Sequence, residues 1–180
     1  YVGTHGLAHH LETLLVAAEM LSGLRDGAAF HFILLGDGAR KRALKDEAAR
    51  RGLDKITFLD SVGKDQVVRY WSLLDVSIIH LKKSELFTTV IPSKLFECMG
   101  MGLPVLHGVA GESAEIVEDE EVGIVFEPEN PAELVEHLRF LGRDRSAYQG
   151  YRAHCLEAAK KYDRTVKARE MLEVLTQLAR

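Results

Sequence analysis

Phe30-His31-Phe32-Ile33-Leu34-Leu35-Gly36-Asp37-Gly38 is the stretch on which the fold turns. Its apolar run is too short for a helix and stops at a glycine, so it reads as a buried strand. Gly36 and Gly38 bracket a tight turn. The charged stretch from Ala39 to Arg51 then reads as a helix, with Gly52 as its C-terminal cap. Ile56-Thr57-Phe58-Leu59 reads as the next strand. A strand, a helical crossover and a second strand make the unit of a parallel sheet, because a parallel neighbour cannot be reached by a hairpin.

The same alternation extends outward in both directions. Upstream, Tyr1-Val2 reads as the end of a strand, followed by the loop Gly3-Thr4-His5-Gly6. His9 to Gly23 is helical, with Leu11, Leu14, Leu15, Ala18 and Leu21 at spacings of three and four. Downstream, Lys64 to Leu74 reads as a helix and Asp75 to His80 as a strand. Pro92 to Met101 is a helix with proline near its first position, where a missing N–H costs nothing. Pro104 to His107 is a strand, Glu112 to Glu118 a short helix and Val122 to Phe126 the last strand. Helices over 131–141, 146–162 and 164–178 close the chain, the first stopped by Gly142 and the last started by Asp163 as N-cap. Short apolar strands separated by helices predict a doubly wound, Rossmann-like α/β domain, a parallel sheet with helices on both faces. No linker rich in Gly, Pro or Ser divides residues 1–180, which are expected to form a single domain. The half-strand at Tyr1-Val2 and the absence of an initiator Met lead to the expectation of a piece of a longer protein.

Composition narrows the function classes. The chain has 180 residues, and its net charge of −4 argues against a nucleic-acid partner, which selects a basic face. No apolar run approaches the roughly 20 residues of a membrane helix, and no signal peptide opens the chain. Cys98 and Cys155, the only cysteines, fit a reducing cytoplasm better than a disulfide framework.

In doubly wound sheets, ligands bind at the carboxyl ends of the strands. The informative positions are therefore Gly3 to Gly6, Gly36 to Gly38, Asp60 to Gly63, His80 to Thr89 and His107 to Glu112. The sharpest constellation is Pro92-Ser93-Lys94-Leu95-Phe96-Glu97. Free amides and a lysine in the first turn suit a phosphate, and Glu97, one turn on, suits the hydroxyls of a ribose. Leu95, Phe96 and Met99 are expected to pack on the sheet. A surface helix with a Lys–Glu pair has the same spacing, and both readings stay open. Gly36-Asp37-Gly38 fits a nucleotide-side turn or a plain strand-to-helix turn. The dinucleotide fingerprint is missing, because position 41 is Lys. Gly3 to Gly6 could offer amides to a diphosphate or sugar. His5, His9, His80 and His107 converge on the crevice, yet no carboxylate or cysteine joins them, so polar lining is expected and no bound metal. Trp71 reads as core, and Glu115 to Glu121 as a solvated helix end.

With these pieces in order, the chain resembles the C-terminal half of family 4 glycosyltransferases of GT-B architecture. The resemblance rests on Gly3 with Leu11 to Leu15, on Gly36-Asp37-Gly38, on Tyr70 to Val76, and on Glu97, Met99, Gly102, Pro104 and Val105. Gly111, Glu115, Ile116, Val117, Gly123-Ile124-Val125 and Pro128 continue it. Pro92 to Glu97 and His107 to Glu112 resemble a subgroup that builds bacterial surface polysaccharides such as O-antigen or capsule, often from UDP-linked N-acetylated sugars. Four positions depart from the family pattern. Thr89 replaces the first Glu of its Glu-x7-Glu, Thr4 replaces an Arg, and His9-His10 replaces a Lys-Gly pair.

The resemblance implies a retaining sugar transfer from a nucleotide-sugar, without a metal or other cofactor. Lys94 and Glu97 carry the catalytic roles in that reading. The donor would be held by Gly3, Thr4, His5, Gly6, Gly36, Gly38, Ser61, Val62, Thr89, Pro92, Ser93, Lys94, Leu95 and Glu97. Gly6, Ser93 and Lys94 fall at the phosphates and Glu97 at the ribose. Ser61 and Val62 line the base through their backbone, with Thr89 and His5 near the sugar. The acceptor would come from an N-terminal half outside these residues, so the domain alone is expected to bind donor and turn over little. The full-length protein is expected in the cytoplasm, with possible peripheral membrane contact through that other half. Other readings are a GT-B nucleotide-sugar epimerase, a non-catalytic nucleotide-binding relative, and a flavodoxin-like regulatory domain, for which Asp60 alone supplies no acidic cluster.

Overall fold

The structure is a computed structural model describing residues 1–178. β1 (Phe32–Leu35) pairs in parallel with β2 (Ile56–Leu59), Phe32 opposite Ile56 and Leu35 opposite Leu59. β3 (Ser77–His80), β4 (Val105–Gly108) and β5 (Gly123–Val125) form a second parallel set in that order. Val2 joins Leu35 through a single parallel bridge, where the Leu35 amide donates to Tyr1 O and the Gly3 amide to Leu35 O, both at 2.9 Å. The continuous sheet expected from the sequence is thus divided, by hydrogen bonding, into two and three strands.

The two sets still act as one layer. Leu34, Ile78 and Leu106 enter one apolar core, while their neighbours Leu35, Ile79 and Val105 enter the other. Alternation at a period of two sends successive side chains to opposite faces. Two helices, α1 (Glu12–Ser22) and α2 (Lys41–Arg50), cover the first face together with α6 (Pro131–Arg143). The second face is covered by α3 (Lys64–Trp71), α4 (Lys94–Gly100), α5 (Glu112–Asp119) and α7 (Arg145–Lys161). Leu14, Leu15, Leu95 and Met99 are fully buried, each contributing about 1.5–3 kcal/mol by transfer from water. Phe96 packs at the edge of the same core as Leu95 and Met99. It is half-buried, with its ring centroid 4.9 Å from that of Tyr162.

Several boundaries move for local reasons. α1 begins at Glu12 rather than His9, because Leu7–His9 is a 3-10 turn and His10 takes a φ of 41°. Gly52 has φ +66° and donates to Ala49 O, which is the cap expected of it. Gly142 does not stop α6. The helix runs through it, and the missing side chain lets it lie against Phe30, whose ring would be 3.2 Å from an added Cβ. The stop falls at Asp144, extended at φ −95° and ψ 90°, whose carboxylate accepts the Ala147 amide at 2.9 Å and starts α7. α8 (Arg164–Leu178) begins with Asp163 accepting the Thr165 amide at 2.9 Å, and none of its described side chains is buried. No described helix is long and apolar enough to cross a membrane.

Candidate functional site

Two glycine turns interlock where Tyr1-Val2 and β1 end. A Cβ on Gly36 would lie 1.8 Å from Gly3 O, and one on Gly38 would lie 2.6 Å from His5 C and O. The His5 amide donates to Asp37 O at 2.8 Å, and the Arg40 amide to His5 O at 2.9 Å. Both Gly36 (φ +144°) and Gly38 (φ +155°) hold angles that a side chain would strain. Gly3, Gly36 and Gly38 each spend their amide, on Leu35 O, Leu59 O and Asp37 Oδ1. These three glycines therefore shape the crevice and have no amide left to bind through.

Lys41 closes the turn from below. Its ammonium donates to Gly36 O at 2.7 Å, Leu59 O at 2.9 Å and Asp60 Oδ1 at 2.7 Å. The ammonium has three N–H donors, so its bonding capacity is used up. Sequence reasoning read Lys41 only as the residue that breaks a fingerprint and missed this clamp. No local signal announces it, because its three acceptors come from the ends of two strands.

Lys94 behaves in the opposite way. A Cβ on Gly3 would sit 2.5 Å from its Nζ, and the Nζ lies 4.3 Å from the centroid of the Tyr1 ring. Among the described residues it makes no ion pair and no hydrogen bond. Burial pushes its pKa down to about 8, against the pull of Cys98 and Glu97. The Tyr1 ring also gathers two imidazoles, with centroids 6.0 Å away for His5 and 6.2 Å for His9. Both ring nitrogens of His5 and Nδ1 of His9 are buried without a partner. Burial, with Lys41 next in weight, lowers His5 to about 4, and burial with Lys94 lowers His9 to about 4. Three nitrogen groups without acceptors thus stand around one loop.

The remaining predicted residues separate into available and unavailable ones. The backbone amides of Thr4, Gly6, Ser61, Val62, Ser93 and Lys94 donate to no described residue. Ser93, Glu97, Thr89, Thr4 and Ser61 are exposed, and Pro92 and Val62 are half-buried. Leu95 is a correction. It is fully buried and its amide donates to Pro92 O at 2.9 Å, so it reaches the crevice through neither group. The side chain of His5 is also fully buried, beneath the loop rather than on its surface. The shared face of Ser93, Lys94 and Glu97 is likewise split, because Lys94 turns inward to Tyr1.

His80 and His107 are structural. Glu129 N–H donates to His80 Nε2 at 2.9 Å, so Nδ1 carries the proton and donates to His9 O at 2.7 Å. This neutral ring, stacked 5.9 Å from Phe126, clips the end of β3 to two loops, and burial lowers its pKa. His107 Nε2 is 2.8 Å from Ser113 Oγ, inside the core. Among the described residues no three His, Cys, Asp or Glu side chains converge as a metal site. Across the crevice, a Cβ on Gly111 would lie 2.0 Å from Thr88 O, and the Glu112 amide donates to the same oxygen at 3.0 Å. The loop bearing Thr89 is thereby tied to the end of β4. A cleft of about 560 Å³ lies at the other end of the strands, lined by His31, Ile33, Val76, Leu138 and Arg139.

Comparisons with known proteins bear on the family and the fold. The sequence model of the glycosyl transferases group 1 matches residues 1–144, ending at the residue that divides α6 from α7. Alpha-D-kanosaminyltransferase of Streptomyces kanamyceticus is 28% identical over 143 residues, 78% of this chain and 35% of that protein. The chain thus spans little more than a third of that relative's length. Anabaena Alr3699/HepE, solved in complex with UDP, superposes with a TM-score of 0.82 at 18% identity, over 98% of this chain and 47% of that one. The catalytic domain of cholesterol-alpha-glucosyltransferase from Helicobacter pylori superposes with a TM-score of 0.75 at 15% identity, over 90% of this chain and 96% of that one. At such identities the likeness is one of fold. Parallel sheets flanked by helices match GT-B glycosyltransferase domains.

Proposed function

The chain belongs to the group 1 glycosyl transferases, and we propose that residues 1–180 are the donor-binding domain of an enzyme that takes a sugar from a UDP-linked donor. One observation carries this reading. Lys94 holds a largely buried ammonium at the crevice with no acceptor from the described residues. A protein does not keep such a charge for stability, because desolvating it costs several kcal/mol. A bound diphosphate would complete it.

The unspent amides then fall into place. Gly6, Ser93 and Lys94 N–H groups face the diphosphate, and Glu97 accepts from the ribose hydroxyls. Ser61 and Val62 meet the base through backbone amides, while Thr89 and Thr4 edge the sugar. His5 supports the loop from beneath. The chemical demand is to stabilise charge on a departing diphosphate beside an oxocarbenium-like sugar, and preorganised donors meet it electrostatically. Transfer proceeds with retention and needs no metal in this reading. The acceptor is supplied by a further domain, so residues 1–180 bind donor without efficient turnover. The resemblance in Pro92 to Glu97 and His107 to Glu112 supports an N-acetylated sugar and a role in bacterial surface polysaccharide.

Calorimetric titration with UDP, GDP and ADP, repeated on Glu97→Ala, tests the proposal. UDP is expected to bind best, and the variant to lose about 1–3 kcal/mol as charge-assisted hydrogen bonds go. Equal binding by the variant would remove Glu97 from the site. Failure of all three nucleotides to bind would remove the donor reading.

A further inference from the structure

We infer that Glu129 is a positioning residue for the donor sugar, acting through the backbone of Lys83 on the loop that carries Thr89. The inference rests on the donor-binding reading of the crevice. It deepens that reading by naming what fixes the sugar side of the site.

Glu127-Pro128-Glu129-Asn130 forms a turn between β5 and α6, closed by the Asn130 amide on Glu127 O at 3.0 Å. Proline stands second in this turn and Glu129 third, at a φ of 66°. Glycine or asparagine is the usual residue there, because a larger side chain strains. The turn by itself gives no reason for a glutamate, and its surroundings do. The Glu129 amide donates to His80 Nε2 at 2.9 Å, which fixes the residue against the end of β3. Its Oε1 then accepts the Lys83 amide at 3.0 Å. His10 Nδ1 lies 4.0 Å from its other oxygen. Among the described residues three non-glycines hold a positive φ, and His10 and Glu129 are two of them. Strain of this kind gathers at functional sites.

Lys83 opens the loop that leads to Thr89. The Lys82 amide donates to Ala8 O at 2.8 Å, and Lys83 Nζ pairs with Glu127 at 2.5 Å. That ion pair is exposed and adds little. The Lys82 bond runs from backbone to backbone, so the bond a substitution can remove is the one at Glu129. Beyond Lys83 the loop is stiff. The Leu86 amide donates to Ser84 Oγ at 3.3 Å, Phe87 to Ser84 O at 3.0 Å, Thr88 to Glu85 O at 3.2 Å and Val90 to Phe87 O at 3.1 Å. Its far end is held by the Glu112 amide on Thr88 O at 3.0 Å. A shift at Lys83 is therefore carried along the arm to Thr89, which is exposed and which the donor reading sets beside the sugar. The nucleotide side is separate. In that reading it rests on Ser61, Val62 and α4, and Glu129 bonds to none of them. A substitution at 129 also leaves its own amide on His80, so the clip on His9 O stays in place.

The test compares UDP with UDP-glucose and UDP-N-acetylglucosamine by calorimetric titration, on the native domain, Glu129→Gly and Glu129→Gln. Glycine relieves the positive φ, so Glu129→Gly should melt within about 3 °C of the native domain. UDP should bind it within about twofold of native, while the better-bound UDP-sugar weakens about fivefold or more, the loss of one hydrogen bond. Glu129→Gln keeps an acceptor oxygen for the Lys83 amide and should bind both ligands as the native domain does. Hydrogen exchange of residues 82–90 should quicken in Glu129→Gly and stay native in Glu129→Gln. Equal weakening of UDP and UDP-sugar in Glu129→Gly, or weakening of neither, would overturn the inference and leave the donor reading standing. A Glu129→Gln variant as impaired as Glu129→Gly would overturn it too, as would a native domain that binds UDP but neither UDP-sugar. A native domain that binds no UDP would overturn the donor reading and this inference together.

Discussion

Lys41 and Lys94 hold matching places in the two halves of the sheet. Each is the first residue of a helix, α2 and α4, and each turns its ammonium toward a glycine loop at the carboxyl end of a strand. Lys41 finds three acceptors there and Lys94 finds none. Burial of a cation is therefore no sign of function by itself. The useful sign is a buried cation with no hydrogen-bond acceptor, because a contact such as that of Lys94 with the Tyr1 ring offsets only part of the desolvation.

Three measurements press on that contrast. Lys41→Met should cost about 2–3 kcal/mol, since it strands the Gly36 carbonyl at the end of β1, while Leu59 O keeps the Gly36 amide. The pair with Asp60 adds little, because that carboxylate is almost fully exposed. Urea denaturation reads the loss, and a cost under about 1 kcal/mol would mean the clamp is not structural.

Lys94→Met should act in the other direction. With a pKa near 8 in the fold and 10.5 ordinarily, the unfolded chain binds more protons between those values. Native stability therefore rises with pH from about 8 to 10.5, and the charged lysine destabilises the fold below that window. The variant should be about 1–2 kcal/mol more stable at pH 7, should lack the rise above pH 8, and should lose nucleotide binding. A destabilised variant would place Lys94 beside Lys41 as a structural group. The smallest effect is expected from ending the chain after Asp163. α8 buries none of its described side chains, so unfolding free energy should change by less than about 0.5 kcal/mol. A larger loss would show packing of α8 on the body.

The order of elements was legible because apolar runs of four residues between charged, periodic stretches have few other solutions. β2 and the start of α3 fall where the pattern puts them, at Ile56–Leu59 and Lys64. The glycines at 36 and 38 were legible as a turn, but the reason for them was not. They answer to Gly3 and His5, more than thirty residues away. Gly142 shows the same limit, since a helix-stopping residue was used for close approach to Phe30. At the site, the stretch from Pro92 to Glu97 was recognisable as a candidate. Its spacing fitted a surface ion pair equally well, and only the inward path of Lys94 to the Tyr1 ring separates the two. His80, read as crevice lining, serves as a neutral clip because two loops supply its partners.

By itself the sequence determined a parallel α/β domain, its strand ends and the short list of residues around them. Periodicity and turn chemistry act over a few residues, and those are the terms on which such a list depends. The tertiary structure alone decided which of the residues still have bonding capacity. Whether Lys41, Leu95 and His80 are spent, and whether Lys94, His9 and the Gly6 amide are free, depends on acceptors brought together from distant parts of the chain. Hydrogen bonds and desolvation are settled by distances of about 3 Å, and the spacing of residues along a chain does not contain those distances.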